Sequence, residues 1–187
     1  MAEHTAEKLE VQPYFDVELL MNTSQETRIG GEVMNRLMQR WEAWMDKLHA
    51  LHINTGKIQY LVVWLDSDVE EDVDAAWESS PSDAFIINSL AQTMVMSAVH
   101  MLLPEVEDVG CAPAPKPTDK LRAALEDIGL PYNGDGPTLS RRYAVVTHFP
   151  FKGGCEICTL LKDCPKGSGA AGAPSSVVLP GYEPGKE

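Results

Sequence analysis

Apolar and polar positions along the chain change period several times, and each change marks an element. From residue 15 to 21, Phe15, Val17, Leu19 and Met21 alternate with Asp16, Glu18 and Leu20, the period of a strand with one wet face. Thr23 followed three residues later by Glu26 has the form of a capping box. Behind it Ile29, Val33, Leu37, Trp41, Trp44, Leu48 and Leu51 follow one stripe at helical spacing, predicting a long helix over 24–52 that stops near Asn54 and Gly56.

Segment 58–65, IQYLVVWL, is almost continuously apolar and rich in β-branched and aromatic residues, as in a central strand covered on both faces. Ser67 and Glu70 have the spacing of a second capping box and open an acidic helix to about Glu78; Ser82 opens an apolar helix that Pro104 closes. Residues 85–103 carry no charge, a length that could span a membrane. Asn88, Ser89, Gln92, Thr93, Ser97 and His100 lie within that stretch, so a buried core helix is expected instead.

The segment 105–117 holds Cys111 and Pro113, Pro115 and Pro117, and reads as an extended, semi-rigid loop. Thr118 caps a helix through Leu121, Ala124, Leu125 and Ile128, which Gly129 and Pro131 stop. Residues 142–149 form the third predicted strand, with Tyr143, Val145 and Thr147 on one face and Ala144, Val146 and His148 on the other.

The expected fold is therefore α/β or α+β, a small mixed sheet of about three or more strands flanked by helices. Residues 1–164 form one globular domain with a cysteine-rich segment over 153–165. Residues 166–187, crowded with Gly, Pro, Ser and Ala, offer too little apolar surface to offset their ordering entropy and read as a mobile tail. A length of 187 residues suits one core. The formal charge of −13 is uneven: residues 1–115 carry 20 acids against 6 bases, residues 116–187 eight against nine. No nucleic-acid partner is expected of so acidic a chain. The start of the chain has acids and no apolar run, which points to a cytoplasmic address and no membrane association.

In a reducing compartment four cysteines are metal ligands or redox groups before they are disulfides. Cys155, Cys158 and Cys164 stand in CEICTLLKDCP, three thiols within ten residues, after the flexible pair Gly153 and Gly154. Cys111 is the one cysteine left for a fourth ligand. This one-plus-three division, with Pro165 directly after the last cysteine, suits a four-iron cluster better than zinc, whose sites more often use two Cys-x2-Cys pairs. The triple spacing resembles, over these ten residues, the cluster-binding ends of iron-staple nucleases and of glycosylases similar to endonuclease III. His148 stands seven positions before Cys155, where the glycosylase pattern has a cysteine, and is a candidate substitute ligand. Lys152, Lys162 and Lys166 could offset the negative charge of four thiolates.

Two other signals compete. Cys155 and Cys158, after an apolar strand and before a short helical stretch, resemble a thioredoxin-type arrangement, which implies a dithiol whose first thiolate is activated at a helix start. Only the Gly/Pro-rich tail follows, so the alternative is a dithiol redox protein without that fold. Asp66-Ser67-Asp68 after YLVVWL resembles the first motif of haloacid-dehalogenase-like phosphatases, implying a nucleophilic carboxylate and a Mg²⁺ site; the helix cap explains the same residues. The preferred expectation is a metal-binding protein carrying an iron–sulfur cluster on Cys111, Cys155, Cys158 and Cys164, in electron transfer, redox sensing or support of an enzyme, with a zinc-stabilised interaction module as its rival. The long helix over 24–52 could pair with a protein partner or a second copy.

Overall fold

Four antiparallel strands and six helices make up the described part of the computed structural model, residues 4–134 and 136–164. The sheet order is β1(Thr5–Leu9), β2(Leu48–Asn54), β3(Gln59–Leu65), β4(Ala144–His148). The helices are α1(Val17–Ser24), α2(Gly31–Trp44), α3(Ser67–Ser79), α4(Pro81–Leu102), α5(Glu105–Val109) and α6(Asp119–Asp127). The architecture is mixed α/β, as the sequence indicates.

β3 is the central strand, paired with β2 and β4, and its side chains point alternately into two cores. Leu61, Val63 and Leu65 meet a larger core built on α4, with Leu20 of α1, Trp41 and Trp44 of α2 and Val73 of α3. Tyr60 and Val62 meet a smaller one formed by Leu121 and Leu125 of α6 with Leu130 and Leu139. Leu61, Val62, Val63 and Leu65 are wholly buried, each contributing roughly 1.5–3 kcal/mol. This double coverage is why IQYLVVWL has no wet face.

α4 has the length and composition of a membrane span, yet its surface faces α1, α2, α3 and β3, and more than half of its most apolar stretch is buried. Part of its polar load is absorbed by hydrogen bonds: Ser89 Oγ donates to Phe85 O at 3.0 Å, Thr93 Oγ1 to Ser89 O at 2.8 Å, and Asn88 Oδ1 accepts from the Tyr143 hydroxyl at 2.7 Å. It is the core helix the polar positions imply.

Several expectations are corrected. The segment 15–21 is not a strand: the Asp16 carboxylate accepts the Leu19 N–H at 2.9 Å and caps α1, and Leu20, the wet position of the strand reading, is wholly buried. The helix over 24–52 does not exist. α1 ends at Gln25, which takes a left-handed conformation, so Thr23 and Glu26 form no capping box; α2 ends at Trp44, and Leu48 and Leu51 belong to β2. Asn54 and Gly56, taken as a helix stop, make the β2–β3 turn, where the Asn54 side chain accepts the Gly56 N–H at 2.8 Å. Trp41 and Trp44 are core residues, Trp41 meeting Phe15 edge-to-face at 5.0 Å, so this stripe is not a surface for a partner. Asp66 stands at the N-cap position of α3 but its side chain makes no capping bond, and Glu70 accepts the Arg142 backbone N–H at 2.8 Å rather than closing a box with Ser67.

β1 went unforeseen because TAEKL shows no apolar alternation; its register, Thr5 opposite Asn54 to Leu9 opposite Ala50, rests on backbone pairing at an exposed edge. The tail 166–187 lies outside the described residues.

Candidate metal centre

The segment between α5 and α6 leaves the larger core at Val106 and enters the smaller one at Leu121, so it passes round the β4 side of the sheet. Gly110 ends α5 in a left-handed turn and presents Cys111. Pro113, Pro115 and Pro117 then keep the chain extended. It is tied to β4 where the wholly buried Thr147 hydroxyl donates to Pro113 O at 2.9 Å.

Beyond β4 the chain bends at Gly153, whose φ of +91° suits glycine, and a Cβ there would collide with the Glu156 carboxylate. A Cβ on Gly154 would stand 3.2 Å from Val109 Cγ1, so glycine also permits the close approach to α5. Glu156 accepts the Gly154 N–H at 3.0 Å, and backbone N–H groups, its own and that of Gly154, hold its carboxyl below the ordinary value.

Two 3₁₀ turns follow, Cys155–Ile157 and Leu161–Asp163, linked by Cys158 N to Cys155 O at 3.1 Å and Leu161 N to Cys158 O at 3.2 Å. A 3₁₀ helix has three residues per turn, so positions three apart eclipse. Cys158 between the two turns is extended, with ψ of 126°, so they are not one continuous helix; residues 155, 158, 161 and 164 nonetheless present one face to a common cavity, and three of the four are cysteine. The sequence carried this signal in its spacings of three and six, which a reading by metal-ligand motifs alone passes over.

The proline loop lies against that face. Ala114 O accepts from Thr159 N at 3.1 Å and from Thr159 Oγ1 at 3.2 Å. In the run Pro113-Ala114-Pro115 only Ala114 has a backbone N–H, and it donates to Cys158 Sγ at 3.4 Å. Cys111, Cys155, Cys158 and Cys164 consequently line one cavity, completed by Val109, Pro113 and Leu161. All four are half-buried thiols, none in a disulfide.

The enclosed space is about 20 Å³, a little more than one water requires. Among the described residues no group of three or more His, Cys, Asp or Glu side chains is arranged to hold a metal ion. The thiols border a common space without converging as a ready-made ion site. A donor set of four thiols with an apolar wall fits a soft, thiolate-bound centre in chemistry.

His148 does not join them. Its side chain is on the opposite face of β4 from Thr147, stacked on Tyr60 with ring centroids 5.8 Å apart. Its Nδ1 is buried without a hydrogen-bond partner among the described residues. Burial first, and the Lys152 charge second, lower its pKa. The acids after β3 are likewise engaged elsewhere: Asp66 Oδ1 lies 2.9 Å from His49 Nε2, and Asp68 accepts from Lys47 Nζ at 2.9 Å. This bond is the largest cause of both the raised Lys47 pKa and the lowered Asp68 pKa.

No protein-family model matches the chain, and no curated protein does.

Proposed function

We propose that this chain is a cytosolic metal-binding protein whose Cys111, Cys155, Cys158 and Cys164 hold an iron–sulfur cluster, serving electron transfer, redox sensing or support of a larger enzyme. The observation that carries this reading is the single cavity bordered by all four thiols. Two segments far apart in sequence supply them, and each segment is anchored by hydrogen bonds that do not depend on the sulfurs.

Two features support a cluster. The wall of Val109, Pro113 and Leu161 would keep water from the sulfurs, and the Ala114 N–H on Cys158 is the kind of contact that tunes a cluster's potential. Zinc at about 2.3 Å from each sulfur would draw four thiolates to within about 4 Å of one another, whereas a cluster holds its ligands apart with bridging atoms. When bound, such a group supplies one-electron chemistry; the chain's own residues position it, shield it and donate to its ligands.

One observation favours zinc. About 20 Å³ is room for an ion, so a cluster requires the 3₁₀ turns to move outward on loading, about the hinge that Gly153 and Gly154 provide. In that reading the metal is structural and the acidic surface recruits a partner.

Purification without oxygen, followed by metal and sulfide analysis and visible absorption, separates the two. A brown protein with about four iron and four sulfide per chain supports the cluster. One colourless zinc supports the module, and a metal-free chain with a reversible Cys155–Cys158 disulfide overturns both. Under either metal reading Cys158→Ser releases the metal, and full retention overturns the ligand assignment.

A further inference from the structure

The two edges of the sheet are protected differently. β1 carries Glu7 and Lys8 at its centre, charges that discourage another strand from pairing. β4 reads AVVTH, with neither an acid, a lysine nor a proline. Its backbone orientation follows from two bonds flanking it, Leu65 N to Tyr143 O at 3.0 Å and Phe149 N to Gln59 O at 3.0 Å. In an antiparallel ladder bonded pairs alternate, so the backbone groups of Val145 and Thr147 face β3 while those of Ala144 and Val146 point outward. Among the described residues no backbone partner meets these outward groups.

They open into a groove of about 570 Å³ that runs along the strand's edge between two unlike walls. Ala112, Ala114 and Leu160 make the wall on the face of Val145 and Thr147, where the Thr147 hydroxyl holds Pro113 O. Pro137, Leu139 and Arg141 make the wall on the face of Ala144 and Val146, where Leu139 shares the smaller core with Val146. Val146 is only 6% exposed, so its outward groups lie at the groove's floor, and a hydrogen bond made there is sheltered from competing water. The charges at the groove differ in their commitments. Arg142 pairs with Asp74 at 2.9 Å, and Glu70 accepts the Arg142 backbone N–H at 2.8 Å. Arg141 makes no ion pair among the described residues.

We propose that this groove binds an extended segment of a partner protein, added to β4 as a fifth strand, in which apolar and acidic side chains alternate. Main-chain bonds to the outward groups of Ala144 and Val146 supply affinity, as in other strand additions. Successive side chains of a strand point to opposite faces, so one set rests on Ala112, Ala114 and Leu160 while the other meets the wall that holds Arg141. A carboxylate in that second set gains a charge-assisted bond to the uncommitted guanidinium. Walls on both sides admit a single strand and leave little room for the sheet of a second copy, whose own β4 lies between the same walls. Nothing in this strand addition requires a metal on the cysteines.

The probe is the peptide acetyl-Val-Glu-Val-Asp-Val-amide, titrated into the full chain while amide signals and their hydrogen exchange are followed residue by residue. The expected result is that the Ala144 and Val146 amides shift saturably and exchange about tenfold or more slowly with peptide bound, while the amides of α4 are unchanged. Acetyl-Val-Lys-Val-Lys-Val-amide should bind about tenfold or more weakly, although the net charge of −13 favours a cation, and Arg141→Glu should reverse that order. Ala144→Pro removes one outward donor, leaves the bonds to β3 in place and should weaken the acidic peptide about tenfold. No shift at Ala144 and Val146, equal binding of the two peptides, or undiminished binding to Ala144→Pro overturns the proposal. Protection of these amides before any peptide is added also overturns it: protection independent of concentration means that the chain covers its own edge, and protection that grows with concentration means that a second copy does.

Discussion

The Ala114 N–H donates to Cys158 Sγ across 3.4 Å, and the prolines on either side leave no neighbouring donor to replace it. A bond to a cluster ligand favours the state with more negative charge on sulfur, which is the reduced one. Ala114→Pro in the cluster-loaded protein should therefore lower the reduction potential by on the order of 50 mV, about one factor of ten in a one-electron equilibrium. A redox titration followed by visible absorption reads this directly, and an unshifted potential would remove Cys158 from the ligand set or the bond from its role.

Thr147 and Thr159 fasten the same loop from opposite sides, but in different surroundings. Thr147 is wholly buried, so Thr147→Val leaves Pro113 O without its donor away from water and should cost about 1–3 kcal/mol. Thr159 is exposed, and its backbone N–H still reaches Ala114 O when the hydroxyl is gone. Thr159→Val should cost under about 1 kcal/mol. Urea midpoints of the metal-free protein distinguish them; equal losses would mean that the loop is not seated on β4 as described.

The two readings of the segment 15–21 make opposite claims about neighbouring side chains. On the helix, Leu20 is buried and Val17 is 39% exposed; on a strand, Val17 would face the core and Leu20 the solvent. Leu20→Asp should cost several kcal/mol, on the order of an unpaired buried charge, and Val17→Asp under about 1 kcal/mol. Removing the cap by Asp16→Ala should cost about 1 kcal/mol. Thermal unfolding of the three variants ranks them, and Val17→Asp as the worst would restore the strand.

Seven residues of alternation were too few to separate strand from helix, and the deciding group, the Asp16 cap, was counted as a wet strand position. The over-long helix failed for a related reason. In β2 the apolar residues Leu48, Ala50, Leu51 and Ile53 serve both faces of the sheet, and the interval from Leu48 to Leu51 happens to continue the stripe of α2. Where one element owned its pattern, sequence and structure agree. β3 is apolar throughout because two cores claim it, and α6 begins at Thr118, whose hydroxyl accepts the Leu121 N–H at 3.3 Å. β1 could not be read because its pairing is made by the backbone alone. At the cysteine cavity the ligand residues were legible as types and spacings; the hydrogen bonds that bring Cys111 to the other three join segments more than forty positions apart, and no local pattern announces them.

His148 links pH to stability through a group outside the cavity. Burial, and then the Lys152 charge, lower its pKa from the ordinary 6.5, so the folded chain holds the neutral ring where the unfolded chain already binds a proton. The contribution to stability from this residue is thus lost as pH falls below 6.5 and levels off once the folded ring protonates too. His148→Phe keeps the stacking on Tyr60 without a titrating group, and should flatten the stability profile below pH 6.5 relative to the natural chain. Parallel profiles from denaturant unfolding would show that His148 is as readily protonated folded as unfolded.

The cavity-facing positions of the cysteine segment make a sharper demand than the presence of four thiols. Leu161 occupies the cavity face between Cys158 and Cys164, while Lys162, one residue on, is exposed. If facing the cavity selects the ligands, a cysteine at 161 can stand in for the one at 164, whereas a cysteine at 162 cannot. Cys164→Ser alone should lower bound metal several-fold. Adding Leu161→Cys should recover most of it, despite the loss of an apolar wall residue, and adding Lys162→Cys should recover none. Metal per chain after gel filtration is the measurement, valid for iron or zinc alike. Equal recovery from both additions would mean that the segment is pliant enough to bring any nearby thiol inward, and the shared face of 155, 158, 161 and 164 would lose its part in choosing the ligands.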